Sequence, residues 1–163
     1  MKLRIAGIAN DSIVDGPGLR LTVFFQGCPY GCPGCHNPQT HDPRGGREAD
    51  TAEILDLMDK NPLLDGLTLS GGEPFLQPEA ALALARAARD KGLNVWVYSG
   101  ATYEELKARR DKATDALLEA CDVLVDGPFI LAGRSLDLSF RGSRNQRLID
   151  LEKTRQAGQA VEK

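Results

Sequence analysis

Gly27-Cys28-Pro29-Tyr30-Gly31-Cys32-Pro33-Gly34-Cys35-His36-Asn37 packs three thiols into eight residues at C-x3-C-x2-C spacing. Cysteine sulfur is the soft anionic ligand that iron-sulfur clusters take. Turns at Gly27, Pro29, Gly31, Pro33 and Gly34 let three Cβ vectors converge as no helix would. A cubane cluster has four irons, so Cys28, Cys32 and Cys35 as its ligands leave one iron open to a small molecule. A structural zinc site is the first alternative and needs a fourth ligand, which His36 or His41 could provide. A disulfide framework fits less well, because a chain of 163 residues with 42% hydrophobic content can bury a core without staples. Cys121, beside Val123-Leu124-Val125, reads as a small buried apolar residue without a function.

Length and the absence of repeats or low-complexity linkers predict one domain over residues 1–163, with a loosely ordered tail from about residue 152. A formal charge of -3 gives no electrostatic case for nucleic acid. No apolar run approaches the roughly 20 residues that span a bilayer, and Met1-Lys2-Leu3-Arg4-Ile5 is not a signal peptide. The expectation is a cytoplasmic protein with no membrane or nucleic-acid partner, in a reducing compartment that keeps thiolates available for metal.

Working outward from the cysteines, Leu21 to Phe25 is an apolar run that predicts a strand buried on both faces, as in a parallel sheet. Leu3 to Ile8 predicts an earlier strand, and Asn10 to Ser12 and Asp15 to Gly18 are turn chemistry. Thr40 to Asp50 is polar and reads as loop, followed by a helix from Ala52 to Met58 capped by Asp50 or Thr51. Gly66 to Ser70 predicts a strand and Pro78 to Lys91 a helix stopped by Gly92. Asn94 to Tyr98 predicts a strand, Thr102 to Leu106 opens a helix through a capping box, Lys112 to Ala120 continues helical, and Asp122 to Asp126 is again a strand. Alternating strands and helices predict α/β architecture, a mainly parallel sheet with ligand loops at the carboxyl ends. A complete eightfold barrel takes about 250 residues, so a partial, open (β/α) barrel is expected.

Two separated motifs carry a resemblance. The C-x3-C-x2-C spacing resembles that of radical S-adenosylmethionine (SAM) enzymes, and Ser70-Gly71-Gly72-Glu73-Pro74 resembles their second signature, which receives the methionine part of SAM. Asp15-Gly16-Pro17-Gly18-Leu19-Arg20 is similar to the leading motif of glycyl-radical enzyme activases. Asp126-Gly127-Pro128-Phe129 and Phe140-Arg141-Gly142-Ser143-Arg144-Asn145-Gln146-Arg147 resemble the activases of anaerobic ribonucleotide reductase. The likeness runs from about Gly7 to Leu151.

The resemblance implies the same partial barrel, a 4Fe-4S cluster and SAM as cofactors, and reductive cleavage of SAM to a 5'-deoxyadenosyl radical that generates a glycyl radical on a protein. The implied partner is anaerobic ribonucleoside-triphosphate reductase, with a flavodoxin or ferredoxin as electron donor. Gly71 and Gly72 free backbone groups for the SAM zwitterion, and Glu73 offers a carboxylate to its ammonium. The position before the third cysteine, often aromatic in the superfamily, is Gly34. His36 is then the nearest ring to support adenine, with backbone groups of Gly34, Cys35 and His36 at its edge. Ser99 and Asp126, at strand ends, are candidates for SAM's ribose or carboxylate, against a reading as strand-end caps. Arg20, Arg141, Asn145 and Arg147 are assigned to partner binding, against a reading of the late arginines as a solvated basic face.

Other readings stay open at this level. They are activation of a different glycyl-radical enzyme, a small-molecule radical SAM reaction of the deazaguanine synthase type, and a zinc- or cluster-bearing interaction module without catalysis.

Overall fold

Strand β2 (Arg20–Phe25) alternates Arg20, Thr22 and Phe24 with Leu21, Val23 and Phe25. Successive side chains on a strand point to opposite faces, so β2 has one polar and one apolar face. The computed structural model, which describes residues 1–30, 38–135 and 138–163, carries that division across a sheet. β2 pairs in parallel with β4 (Gly66–Gly71), β4 with β5 (Asn94–Tyr98), and β5 with β6 (Val123–Asp126). Leu21, Val23, Phe25, Leu67, Leu69, Val95, Val97 and Leu124 join one large apolar core. Ile54 and Met58 of α1 (Thr51–Lys60), Leu84 and Ala88 of α2 (Pro78–Asp90), and Leu117 of α4 (Lys112–Ala120) complete it from the helices.

The other face is buried too, by different chemistry. Thr22, Thr68 and Arg20 are all fully buried there, and Trp96, Val123 and Val125 form a second, smaller cluster with Phe140 and Leu148. Burial of β2 on both faces is as its sequence suggests, but one of those faces is polar.

The helix signals hold closely. Asp50 caps α1 by accepting from Ala52 N, and α3 (Tyr103–Ala108) opens on the Thr102/Glu105 capping box. Gly92, at φ 81°, follows the end of α2.

The seven-stranded sheet runs in the order β3-β1-β2-β4-β5-β6-β7. Its parallel centre is flanked by antiparallel edges: β1 (Lys2–Ser12) on β2, β3 (Arg47–Asp50) on β1, and β7 (Arg147–Asp150) on β6. β3 and β7 stand at opposite ends of that order, so the sheet is open. Three expectations are corrected here. β1 continues through Asn10 to Ser12, where turn chemistry predicts a break, with a register shift between Ala9 and Ser12. The polar stretch before α1 contains β3. The tail from about residue 152 is ordered as α5 (Leu151–Ala157), capped by the Asp150 side chain on Lys153 N. Past Gly158 the chain returns to β7, with Asp150 N donating to Val161 O at 2.9 Å and Lys163 N to Leu148 O at 2.8 Å. Among the described residues no helix is long and apolar enough to cross a membrane.

Candidate active site

Four parallel strands bring four chain segments to one edge of the sheet. Cys28 follows β2, Gly71 and Gly72 end β4, Ser99 and Gly100 follow β5, and Gly127 follows β6. All of them line one cavity of about 530 Å³, within the range of small-molecule sites. The turn 140–146, between β6 and β7, supplies a further wall through Phe140, Arg141 and Gln146.

The cysteine loop leaves β2 on a fixed track. Gly27 N donates to Thr40 O at 2.7 Å and Cys28 N to His41 O at 3.1 Å. Cys28 is half-buried. The expected ligands Cys32 and Cys35 and the expected adenine contacts Gly34 and His36 lie outside the described residues.

Gly71 and Gly72 are needed by the backbone on their far side as well as by the cavity. Gly72 N donates to Phe25 O and Glu73 N to Gly27 O, both at 2.8 Å. A Cβ on Gly72 would sit 2.3 Å from Gly27 O and 2.9 Å from Thr40 O. At Gly71, where φ is 93°, it would sit 2.4 Å from Phe25 N. The glycine-rich segment therefore clamps the root of the cysteine loop, a role its sequence did not suggest.

Glu73 does not face the cavity as its sequence suggests. Its carboxylate is fully buried and turned into the protein. It accepts from Phe75 N at 3.1 Å, Ser99 Oγ at 3.0 Å and Gly100 N at 2.8 Å, so it ties the end of β4 to the end of β5 and is spent before any ammonium arrives. Burial pushes its pKa up, against the pull of those three donors. A carboxyl with a raised folded pKa binds its proton earlier in the folded than in the unfolded state. It therefore favours folding most at pH below the unfolded value, and that contribution fades as pH rises through the folded pKa. Glu73→Gln removes this slope and leaves one donor facing an amide NH2. The expected results are a loss of about 1–3 kcal/mol at neutral pH and a flatter stability profile above the ordinary glutamate pKa, both read from denaturant melts.

Ser99 lines the cavity, but its hydroxyl donates to Glu73 and accepts from Ala101 N at 3.0 Å. Asp126 is 1% exposed, and its carboxylate accepts from Tyr103 N at 2.7 Å and from Arg147 Nε at 3.0 Å and Nη2 at 2.5 Å. It caps α3 and anchors β7, so it is not offered to ribose or carboxylate. The same pairing, with Glu104 Oε1 at 2.6 Å, commits Arg147, and Asn145 Nδ2 donates to Pro128 O at 2.8 Å. Arg20 cannot touch a partner either. It is fully buried, donating to Thr68 Oγ1 at 2.7 Å and to Pro17 O and Leu67 O at 2.9 Å, with its guanidinium 5.7 Å from the Trp96 ring. Of the four residues assigned to a partner, only Arg141 lines the cavity.

Sequence reasoning missed the support of that turn. Phe140 adopts φ 61°, which is rare for a residue with a side chain. Its ring meets Trp96 edge-on at 5.2 Å, and its carbonyl accepts from Tyr98 Oη at 2.5 Å. Gln146 Oε1 accepts from Gly142 N at 2.8 Å and Ser143 N at 3.2 Å, while its Nε2 donates to Gly127 O at 3.1 Å. The motif 140–147 carried this signal, although nothing in it said that the glutamine braces its own turn.

Among the described residues, two lining side chains have a buried nitrogen without a hydrogen-bond partner, His41 Nε2 and Arg141 Nε. Such groups cost about 1–3 kcal/mol when left unmet, which makes them a signature of a polar ligand. The bare main chain at Gly71, Gly72, Gly100 and Gly127 and the rings of Phe24, Tyr98 and Phe129 suit a ligand that joins an amino-acid zwitterion to a nucleoside. SAM fits this cavity, and Cys28 at its rim fits a cluster thiolate.

A family described as a 4Fe-4S single cluster domain matches residues 14–149. The anaerobic ribonucleoside-triphosphate reductase-activating protein of Vibrio cholerae is 37% identical over 142 residues, covering 82% of this chain and 89% of that one. Its counterpart in Escherichia coli K12 is 37% identical over 143 residues, covering 82% and 90%. The pyruvate formate-lyase-activating enzyme of Clostridium pasteurianum is 36% identical over 140 residues, but this chain spans only 58% of its length.

Proposed function

Because the chain belongs to the 4Fe-4S single cluster domain family, and within it to the radical SAM activases of glycyl-radical enzymes, we propose that it installs a glycyl radical on anaerobic ribonucleoside-triphosphate reductase. When bound, the 4Fe-4S cluster and SAM supply the chemistry, a one-electron cleavage of SAM to methionine and a 5'-deoxyadenosyl radical that takes hydrogen from the target glycine. The protein binds, orients and excludes water. Cys28, with Cys32 and Cys35, holds the cluster. Gly71 and Gly72 would leave main chain open to the methionine end of SAM, and Gly34, Cys35 and His36 are the residues proposed for its adenine. Glu73 holds Ser99 and Gly100 in place and so shapes the cavity wall where the ribose would lie.

The observation that carries this reading is the convergence of Cys28, Gly71, Gly72 and Gly100 on one cavity. The open sheet, with β3 and β7 at its two ends, supports a substrate as large as a protein. A flavodoxin or ferredoxin is the proposed electron donor and the cytoplasm the proposed site of action. Neither nucleic acid nor a membrane has a part in this reading.

The likeness to a pyruvate formate-lyase-activating enzyme favours one second reading, a different glycyl-radical target. The test presents the reduced enzyme and SAM, without oxygen, to the reductase and to a formate-lyase in parallel. A glycyl radical seen by EPR on the reductase alone is the expected result. A radical only on the formate-lyase moves the assignment to the second reading. Productive turnover of a pterin-like small molecule, with both proteins inert, overturns activation altogether.

A further inference from the structure

A glycine offers an enzyme no side chain to recognise, only a backbone N–H and C=O. An activase that selects one glycine has main chain to read, and among the described lining residues the buried nitrogens without a partner are His41 Nε2 and Arg141 Nε. Tyr98 Oη is spent on Phe140 O, Ser99 Oγ on Glu73, and the Gln146 amide on Gly127, Gly142 and Ser143.

Arg141 differs from these. Its Nη1 donates to Gln146 O at 3.3 Å, which fixes the guanidinium to its own turn, while Nε is buried without a partner. Arginine has five N–H donors and no acceptor, so its unmet capacity calls for a carbonyl or carboxylate oxygen. It is the only Lys or Arg among the described residues that line the cavity. Its turn is tied to Gly127, just past β6, three strands along the sheet from β2, which leads into Cys28. Cys28 and Arg141 line the same cavity from these two sides of the parallel strands. Phe140, wedged on Trp96 at 5.2 Å, makes its mount rigid.

We propose that Arg141 grips the incoming protein segment by donating to the main-chain carbonyl oxygens at the target glycine. This rests on the activase reading above and gives that reading its substrate-binding residue.

The probe is a synthetic peptide spanning the glycyl-radical segment of the reductase, and a second peptide whose amide after the target glycine is an ester, which weakens the glycine carbonyl as an acceptor. Both are titrated calorimetrically, without oxygen, into the cluster-loaded enzyme with SAM. Arg141→Ala should weaken the parent peptide about tenfold, the scale of one hydrogen bond to a charged group. The ester should weaken binding to the wild type and add nothing in Arg141→Ala, the mark of a coupled pair. Arg144→Ala, on the same turn but exposed and off the cavity, should bind the parent peptide as the wild type does. Equal binding by Arg141→Ala overturns the proposal and leaves activation standing. An equal loss in Arg144→Ala overturns it in favour of bulk charge, and a loss of SAM affinity in Arg141→Ala overturns it in favour of a SAM contact. If the wild type binds neither peptide and leaves no glycyl radical on the reductase, the activase reading fails and takes this inference with it.

Discussion

Gly72→Val should lose the cluster and SAM binding together. Valine would drive its Cβ to 2.3 Å from Gly27 O, next to Cys28. The obstacle is backbone, which cannot swing aside as a flexible side chain would, so the strain comes to about 3 kcal/mol or more. The cheapest relief is to push the root of the cysteine loop away, breaking the Glu73 N to Gly27 O bond. Iron and sulfide content after anaerobic reconstitution should fall along with SAM affinity. Gly7→Ala serves as the control, because a Cβ there meets nothing within 4 Å, and it should keep both. A Gly72→Val protein that holds a full cluster and loses SAM alone would show that the glycine pair touches only the ligand.

Arg20→Leu should be the most destabilising of the arginine substitutions, although its position in a signature motif suggests a role in binding. It leaves Leu67 O without the guanidinium in the buried face of the sheet, leaves Thr68 Oγ1 with only its bond to Asp15 O, and cuts the tie to Pro17 O in the loop ahead of β2. It also empties the space that Gly66 leaves open, where a Cβ would lie 2.4 Å from the guanidinium. Burial draws the guanidinium pKa down to about 10, so the group is still charged at neutral pH and its hydrogen bonds are charge-assisted. The expected loss is about 3 kcal/mol or more, read as a lower denaturant midpoint at unchanged slope. A variant of wild-type stability with weakened partner affinity would return Arg20 to the surface role.

These two cases mark where the sequence is legible. The cysteine spacing, the glycine pair and the four parallel strands can all be read because each is a local pattern: a ligand interval, a turn, a run of apolar residues. The edges cannot be read this way. Arg47-Glu48-Ala49-Asp50 and Arg147-Leu148-Ile149-Asp150 carry charges at most or half of their positions and become strands only because β1 and β6 offer them a ladder. Such short charged strands are what sheet edges favour. Buried polar pairings are equally hidden. Nothing local tells that Asp126 will meet Arg147, that Glu73 will turn inward to Ser99 and Gly100, or that Arg20 will lie under Trp96. In each case a charge that sequence reasoning assigns to a ligand is consumed by a partner far along the chain.

Activation as proposed requires a cluster with one iron open to SAM at the carboxyl end of β2. EPR of the anaerobically reconstituted, reduced protein tests it most directly. The expected result is a reduced 4Fe-4S signal that changes when SAM is added and that is absent in Cys28→Ala, while Cys121→Ala, a substitution in the apolar core, keeps it. Stoichiometric zinc without iron, or a cluster signal indifferent to SAM, would contradict it.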